Sequence, residues 1–368
     1  MTENRSVSTN PLAGSTYIAI GCLFEIISIL GHMLNIVSIA VLYRIGKRRK
    51  TPIYVTQISL NVINILQTIP SQILLPAACY YRKWIWGPAV CSFEAFWTFL
   101  LAVTSVNILV LLAWQYRTII KCKTKYITSN KSIFMELQPT IYGLSAALLW
   151  TVLPFFGWGR FGIEGIGVSC ALVWHLKDSL NRSFVISSVL VAFVGPVCIM
   201  IAIYTSLYRS VKKRRVRISR RTQRKRSQIG EKSLMKLGVA MTVAFFLSWS
   251  PYALVATFTM LTPRYPSPLV LTIPSIFAKL SVCFTPVVYY CTQINFRLQV
   301  HAFLGKKKQP KDAKTSIQLT TFQQKLITRS RPESSHSRDM KCDEHHEIDP
   351  AEISNQQKSI VELRSTEN

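Results

Sequence analysis

One lysine stands alone inside a long apolar stretch near the end of the chain's hydrophobic part. Leu269 to Cys291, LVLTIPSIFAKLSVCFTPVVYYC, holds a single group that would be charged in water, Lys279. The run is long enough to cross the ~30 Å hydrocarbon core of a bilayer as a helix. A charged side chain at that depth is costly, so an intramembrane lysine reads as functional by default. In such surroundings a neutral amine is the nucleophile that condenses with an aldehyde. A lysine could instead stretch to the interface or pair structurally with a carboxylate, but Lys279 is too far from either end to snorkel well. Pro286 lies seven residues on, two turns down the same face, where it frees a carbonyl and kinks the helix. The sequence has no Gly-rich phosphate loop, HExxH motif or CxxC pair, so it carries none of the common enzyme or metal signatures, and neither catalysis nor a metal site is expected.

The elements that must hold Lys279 are also apolar. Of 368 residues 49% are hydrophobic and 17% charged, with mean hydropathy +0.25, a balance ordinary for a multi-span membrane protein. A net charge of +27 would point a soluble chain toward nucleic acid. Here the basic residues are segregated between apolar spans, which argues for a membrane and against a nucleic-acid partner. Seven runs emerge, at about 17–43, 53–78, 89–116, 139–158, 184–208, 234–262 and 268–291. None alternates like a barrel strand, and Pro70, Pro76, Pro154, Pro196, Pro251 and Pro286 fall inside them, as membrane helices tolerate. The reading is an all-α membrane protein, a seven-transmembrane helix bundle.

Four segments, Arg44–Lys50, Arg117–Lys131, Arg209–Lys236 and the tail from Arg297, hold 36 of the 44 basic residues. The positive-inside rule makes these cytoplasmic, with the N-terminus outside and the C-terminus inside a cell membrane. Residues 1–16 are then an extracellular segment without the apolar core of a cleavable signal, and Asn4 of Asn4-Arg5-Ser6 is a glycan acceptor. Asn181-Arg182-Ser183 is a second, weaker one. Cys91 and Cys170 both fall on the oxidising side, where a bridge would tie the third span to the loop before the fifth; Cys79 competes for the same partner. After the last span, Ile294, Phe296, Leu298, Val300, Phe303 and Leu304 offer an irregular apolar face beside Arg297, a short amphipathic helix on the inner leaflet. Residues 17–304 thus form one domain, and 305–368, polar and rich in Ser and Thr, read as a disordered cytoplasmic tail.

Several strings resemble the rhodopsin-like receptors and, among them, the animal opsins. They are Trp86-Gly87-Pro88-Ala89-Val90-Cys91-Ser92-Phe93-Glu94, Gly157-Trp158 through Glu164 to Cys170, Trp249-Ser250-Pro251-Tyr252-Ala253, and Phe277-Ala278-Lys279 with Pro286, Tyr289 and Asn295-Phe296-Arg297. The likeness covers about residues 16–304. It implies that Lys279 links retinal as a covalent Schiff base, a buried cation that needs a carboxylate partner. Glu94 lies three residues after Cys91, on the same helical face, and is the expected principal counterion. Glu164 is a second carboxylate, a backup counterion by resemblance. Trp249 and Tyr252 match opsin pocket positions, while Phe193, Ala102 and Phe184 are candidates from position alone.

Four family positions are altered, and all concern activation. The third span ends Gln115-Tyr116-Arg117, so in gapless register with Cys91 the usual arginine is displaced by one residue, about 100° around the helix. Glu231 on the sixth span would then face Tyr116. Asn64 stands in place of an aspartate, and Thr285 in place of the asparagine before Pro286. The resemblance implies a retinal-binding photoreceptor, a non-visual opsin, that turns light into a conformational change and signals to a heterotrimeric G protein. Arrestin and a receptor kinase would act on the tail. The rivals are a retinal photoisomerase with little signalling, and a receptor for a diffusible ligand in which Lys279 is an unrelated pocket amine.

Overall fold

Each of the seven apolar runs folds as a helix long enough to cross a membrane. The computed structural model describes residues 12–49, 53–121, 133–174, 178–216, 222–262 and 267–305, all within the unit Met1–Lys325. The helices are α1 (Gly14–Arg49), α2 (Ile53–Tyr80), α3 (Gly87–Lys121), α4 (Ile133–Thr151), α5 (Ser179–Val189), α6 (Gly195–Val216), α7 (Thr222–Leu261), α8 (Pro268–Thr292) and α9 (Ile294–Phe303). α5 and α6 form one span, Ser179–Lys212. The glycan candidate Asn4 and the tail beyond Gly305 lie outside the described residues.

Prolines decide where these helices bend, and neighbours take up the carbonyls they free. Pro70 has no N–H to offer the carbonyl of Leu66, and Trp97 Nε1 on α3 donates to that oxygen instead, at 2.7 Å. Pro286 likewise leaves the carbonyl of Val282, which accepts from Asn35 Nδ2 on α1 at 2.9 Å. Pro196 cannot donate to Ala192, and the turn widens: Leu190–Val194 is a π segment in which the Gly195 N–H reaches back to the Leu190 carbonyl. The apolar effect does not distinguish a neighbouring helix from lipid, so contacts of this kind help to specify which helix packs on which.

Two expectations shift. In the fourth span, Glu136–Phe156, the α-helix stops at Thr151 and the span continues through Pro154 as a 3₁₀ turn, Leu153–Phe156. The segment read as a loop carries an antiparallel hairpin, β1 (Phe161–Glu164) with β2 (Ser169–Leu172), pairing Ile163 with Cys170 and Glu164 with Ser169. Its turn needs glycine: Gly165 has φ +57 and Gly167 φ +87, and a Cβ at Gly165 would strike Thr272 Oγ1 on α8. Cys91 and Cys170 are joined, with Cα atoms 5.4 Å apart, and the competitor Cys79 is a buried free thiol. The hairpin is therefore fastened to α3 by the disulfide and to α8 by the Ile166 N–H, which donates to Thr272 Oγ1 at 3.2 Å.

At the far end of the bundle, α9 turns off after Gln293. Phe296 and Leu298 are buried, with the Phe296 ring 5.5 Å from that of Tyr289, whereas Ile294, Phe303 and Leu304 stay exposed. The displaced motif on α3 is plain here. Tyr116 is fully enclosed, its hydroxyl accepting from Gln57 Nε2 at 2.9 Å, and Gln115 Nε2 donates to Thr56 Oγ1 at 3.1 Å. Arg117, the next residue, is half-buried, with its guanidinium 5.1 Å from the ring of the exposed Trp114. The side chain of Glu231 lies outside the described residues.

Candidate functional site

Lys279 lies between the two prolines of α8, Pro274 and Pro286, and is only 8% exposed. Its Nζ donates to Ser71 Oγ on α2, and Ser71 Oγ donates in turn to Glu94 Oε1 on α3 at 3.0 Å. A serine hydroxyl can accept one hydrogen bond while donating another, so it joins an ammonium to a carboxylate without direct contact. Glu94, 1% exposed, also accepts the backbone N–H of Cys170 on Oε2 at 3.1 Å. The Cys91–Cys170 bridge thus fixes both the helix that carries Glu94 and the strand that supplies one of its donors. The ring of Phe24 on α1 lies 5.3 Å from Lys279 Nζ, close enough for a cation–π attraction.

Glu164 ends β1 and points into the bundle from the hairpin. Its Oε1 accepts Ser275 Oγ at 2.6 Å and Ser169 Oγ at 3.4 Å, and its Oε2 accepts Tyr252 Oη at 3.0 Å. Ser275 precedes Lys279 by one turn, so Glu164 meets the same face of α8. Burial pushes the Glu164 carboxyl above its ordinary range; the Ser275 hydrogen bond, the Lys279 charge and the Tyr252 hydrogen bond oppose this, and Glu94 adds to it.

A cavity continues from Lys279 into the bundle. Its walls include Ala102, Phe193, Phe245, Trp249, Tyr252 and Ala278, with Glu164 and Lys279 at one end. The aromatic walls support one another: the Trp249 centroid is 6.4 Å from both Phe245 and Tyr252, and Phe193 is 6.0 Å from Phe245. The structure brings together Lys279, Glu94, Glu164, Trp249, Tyr252, Phe193 and Ala102. Phe184 stands one layer behind the cavity wall, stacked on Trp150 at 5.6 Å and 6.5 Å from the ring of Phe99, which lines it. Asn181, read as a second glycan acceptor, is 1% exposed and donates to the Val173 carbonyl at 2.8 Å, so its amide is unavailable.

Residues the spacing did not flag are Ser71, Ser275 and Glu25. The serines carry no sequence signal, because single hydroxyls are common in membrane helices. Glu25 did carry one: it is an acid inside an apolar span, the criterion that picked out Lys279.

A buried amine, linked to a carboxylate and opening on an aromatic cavity inside seven spanning helices, defines a membrane receptor with an internal ligand site. A family model described as "7 transmembrane receptor (rhodopsin family)" matches residues 34–289, and the chain belongs to that family. Among proteins of known function, it is 26% identical over 237 residues to the rhodopsin of Todarodes pacificus, 61% of this chain and 52% of that protein. It is 26% identical over 328 residues to the "Rhodopsin, GQ-coupled" of Mizuhopecten yessoensis, 83% of this chain and 64% of that one. The chain thus spans about half to two thirds of the length of these relatives. The crystal structure of squid rhodopsin superposes with TM-score 0.75 at 23% identity, covering 88% of this chain and 94% of that one, a likeness of fold.

Proposed function

We propose that the chain is an opsin-type photoreceptor that holds retinal on Lys279 in a cell membrane, with the hairpin end outside and α9 inside. The observation that carries this reading is Lys279 itself, a buried primary amine one hydroxyl away from Glu94 and open to an aromatic cavity. This donor set suits an aldehyde with a long apolar body: an amine to bond the aldehyde carbon, an acid to balance the resulting charge, and flat rings along the polyene. Retinal would supply light absorption and a change of shape. Lys279 Nζ anchors it, Glu94 holds the compensating charge through Ser71, and Trp249 with Phe193 packs against the far part. The hairpin, tied by Cys91–Cys170, keeps outer water from that nitrogen.

The test is reconstitution of purified protein with retinal, recording dark and illuminated spectra with acid trapping. A retinal-dependent band that light shifts is expected. An unchanged spectrum would favour a diffusible ligand, and light-driven release of retinal without nucleotide exchange would favour an isomerase.

We place signalling at the α9 end, through a heterotrimeric G protein, since one similar protein is described as GQ-coupled. Arrestin and a receptor kinase would meet the Ser- and Thr-rich tail. Because Arg117 lies against Trp114 and Tyr116 takes the core position, coupling should be weak. Tyr116→Arg should raise light-driven nucleotide exchange several-fold, measured with purified protein in vesicles; a lowered rate would show that the tyrosine form is competent as it stands.

A further inference from the structure

Glu25 has no part in the site described so far, yet it is an acid within the first span. Its Oε1 is shielded from water and has no hydrogen-bond partner among the described residues. It belongs to a polar stripe on α1, Gly21, Glu25, Ser28, His32 and Asn35, spaced four and three residues apart and so on one face. That face meets α2, where His32 Nε2 lies 2.8 Å from Thr68 Oγ1 and Asn64 Nδ2 donates to Asn35 Oδ1 at 3.3 Å. The preceding residue, Phe24, puts its ring 5.3 Å from Lys279 Nζ, so α1 flanks the amine at this level. Glu25 is within electrostatic reach of His32 on its own helix, Cys79 on α2 and Lys279 on α8. Cys22 completes the groups beside Cys79, and Glu94 and Glu164 face Lys279 from α3 and β1.

Three carboxyls therefore share one amine. Ionising all of them would leave two negative charges without a partner among these groups, which apolar surroundings disfavour. At least one must keep its proton, and which gives first follows from the donors each has. An ionised carboxylate needs hydrogen-bond donors, whereas a neutral acid does with fewer. Glu94 accepts from Ser71 and Cys170, and Glu164 from Ser275, Ser169 and Tyr252. Glu25 Oε1 accepts from none of the described residues.

We propose that Glu25 is the carboxyl that keeps its proton at rest, and that it is the store from which the Lys279 nitrogen is reprotonated. When that nitrogen is neutral, the O–H bond of Glu25 breaks and an N–H bond forms, and the electron pair stays on the carboxylate. The charge of the bundle is unchanged by the transfer. Delivery of the proton rests on the retinal reading, whereas the neutral state of Glu25 does not.

Infrared spectra of the retinal-free protein in water and heavy water at neutral pH separate the two. A protonated-carboxyl band is expected in the wild type, lost in Glu25→Gln, shifted in Glu25→Asp, and kept in Glu94→Gln and Glu164→Gln. A band that survives Glu25→Gln, or that disappears with Glu94 or Glu164, overturns the assignment; should Glu25→Gln misfold, the shift or constancy of the Glu25→Asp band decides. In protein loaded with retinal, recovery of the visible band after light should slow at least tenfold in Glu25→Gln, and an unchanged rate overturns the delivery step. Failure of the wild type to form a borohydride-trapped adduct would sink the retinal reading alone, because the infrared band still reports on Glu25.

Discussion

Lys279→Ala should abolish covalent attachment of retinal while the protein still inserts and folds. Among the described residues lining the cavity the amine is the one group that can form an imine, and its loss cannot be made good by Ser71, whose hydroxyl is engaged with Glu94. Folding should survive because Glu94 keeps two donors, Ser71 and the Cys170 N–H, and the disulfide still ties the hairpin to α3. Lys279→Arg should fail equally: it preserves the charge, but a guanidinium remains protonated and is no nucleophile. Mass spectrometry after borohydride reduction reads the result directly. An adduct that persists in either variant would remove the central claim.

The second large effect is expected at Glu94. Through Ser71 it places negative charge beside the Lys279 nitrogen and so favours the protonated form there. Glu94→Gln takes that charge away and keeps one of the two acceptor oxygens, so the proton should leave at lower pH. The dark protein should convert from a visible to an ultraviolet band with a midpoint displaced downward by more than about one pH unit, roughly 1.4 kcal/mol of lost attraction. Added chloride should restore part of the visible band by standing in for the missing anion. Glu164→Gln should do less, because Glu164 is held by Ser275 and Tyr252 and is not joined to the Lys279 nitrogen through Ser71. Titration of both variants in the dark decides the order. A larger displacement in Glu164→Gln would reverse the roles, and a wild type already ultraviolet-absorbing at neutral pH would mean that Glu94 holds no such proton.

Much of the bundle was legible because the bilayer imposes one length and one polarity on every spanning helix, and the seven runs met both. Lys279 and Glu94 were legible for a related reason: a charge is conspicuous only against an apolar background. The hairpin was not, since Phe161–Glu164 and Ser169–Leu172 are four residues each, too short for a strand period to stand out amid glycines. Ser71 escaped for the opposite reason, as nothing distinguishes a bridging serine until the helices that carry its two partners are packed. That the α-helix of the fourth span stops short of Pro154 was not legible, because that proline reads equally well as an interior kink or as part of a new turn. Phe184 was offered from position along the chain alone, and position does not say which neighbour a ring packs on.

The contact between Gln57 and Tyr116 changes what the α9 end of the bundle can sense. A latch built from an arginine and an acid loosens as salt screens it and as protons titrate the acid. Here a neutral amide donates to a neutral hydroxyl in a water-free core, at 2.9 Å. Ionic strength finds no charge to screen at that contact, and physiological pH finds no group to titrate. At that contact, therefore, the set point is one of packing rather than of ionic composition.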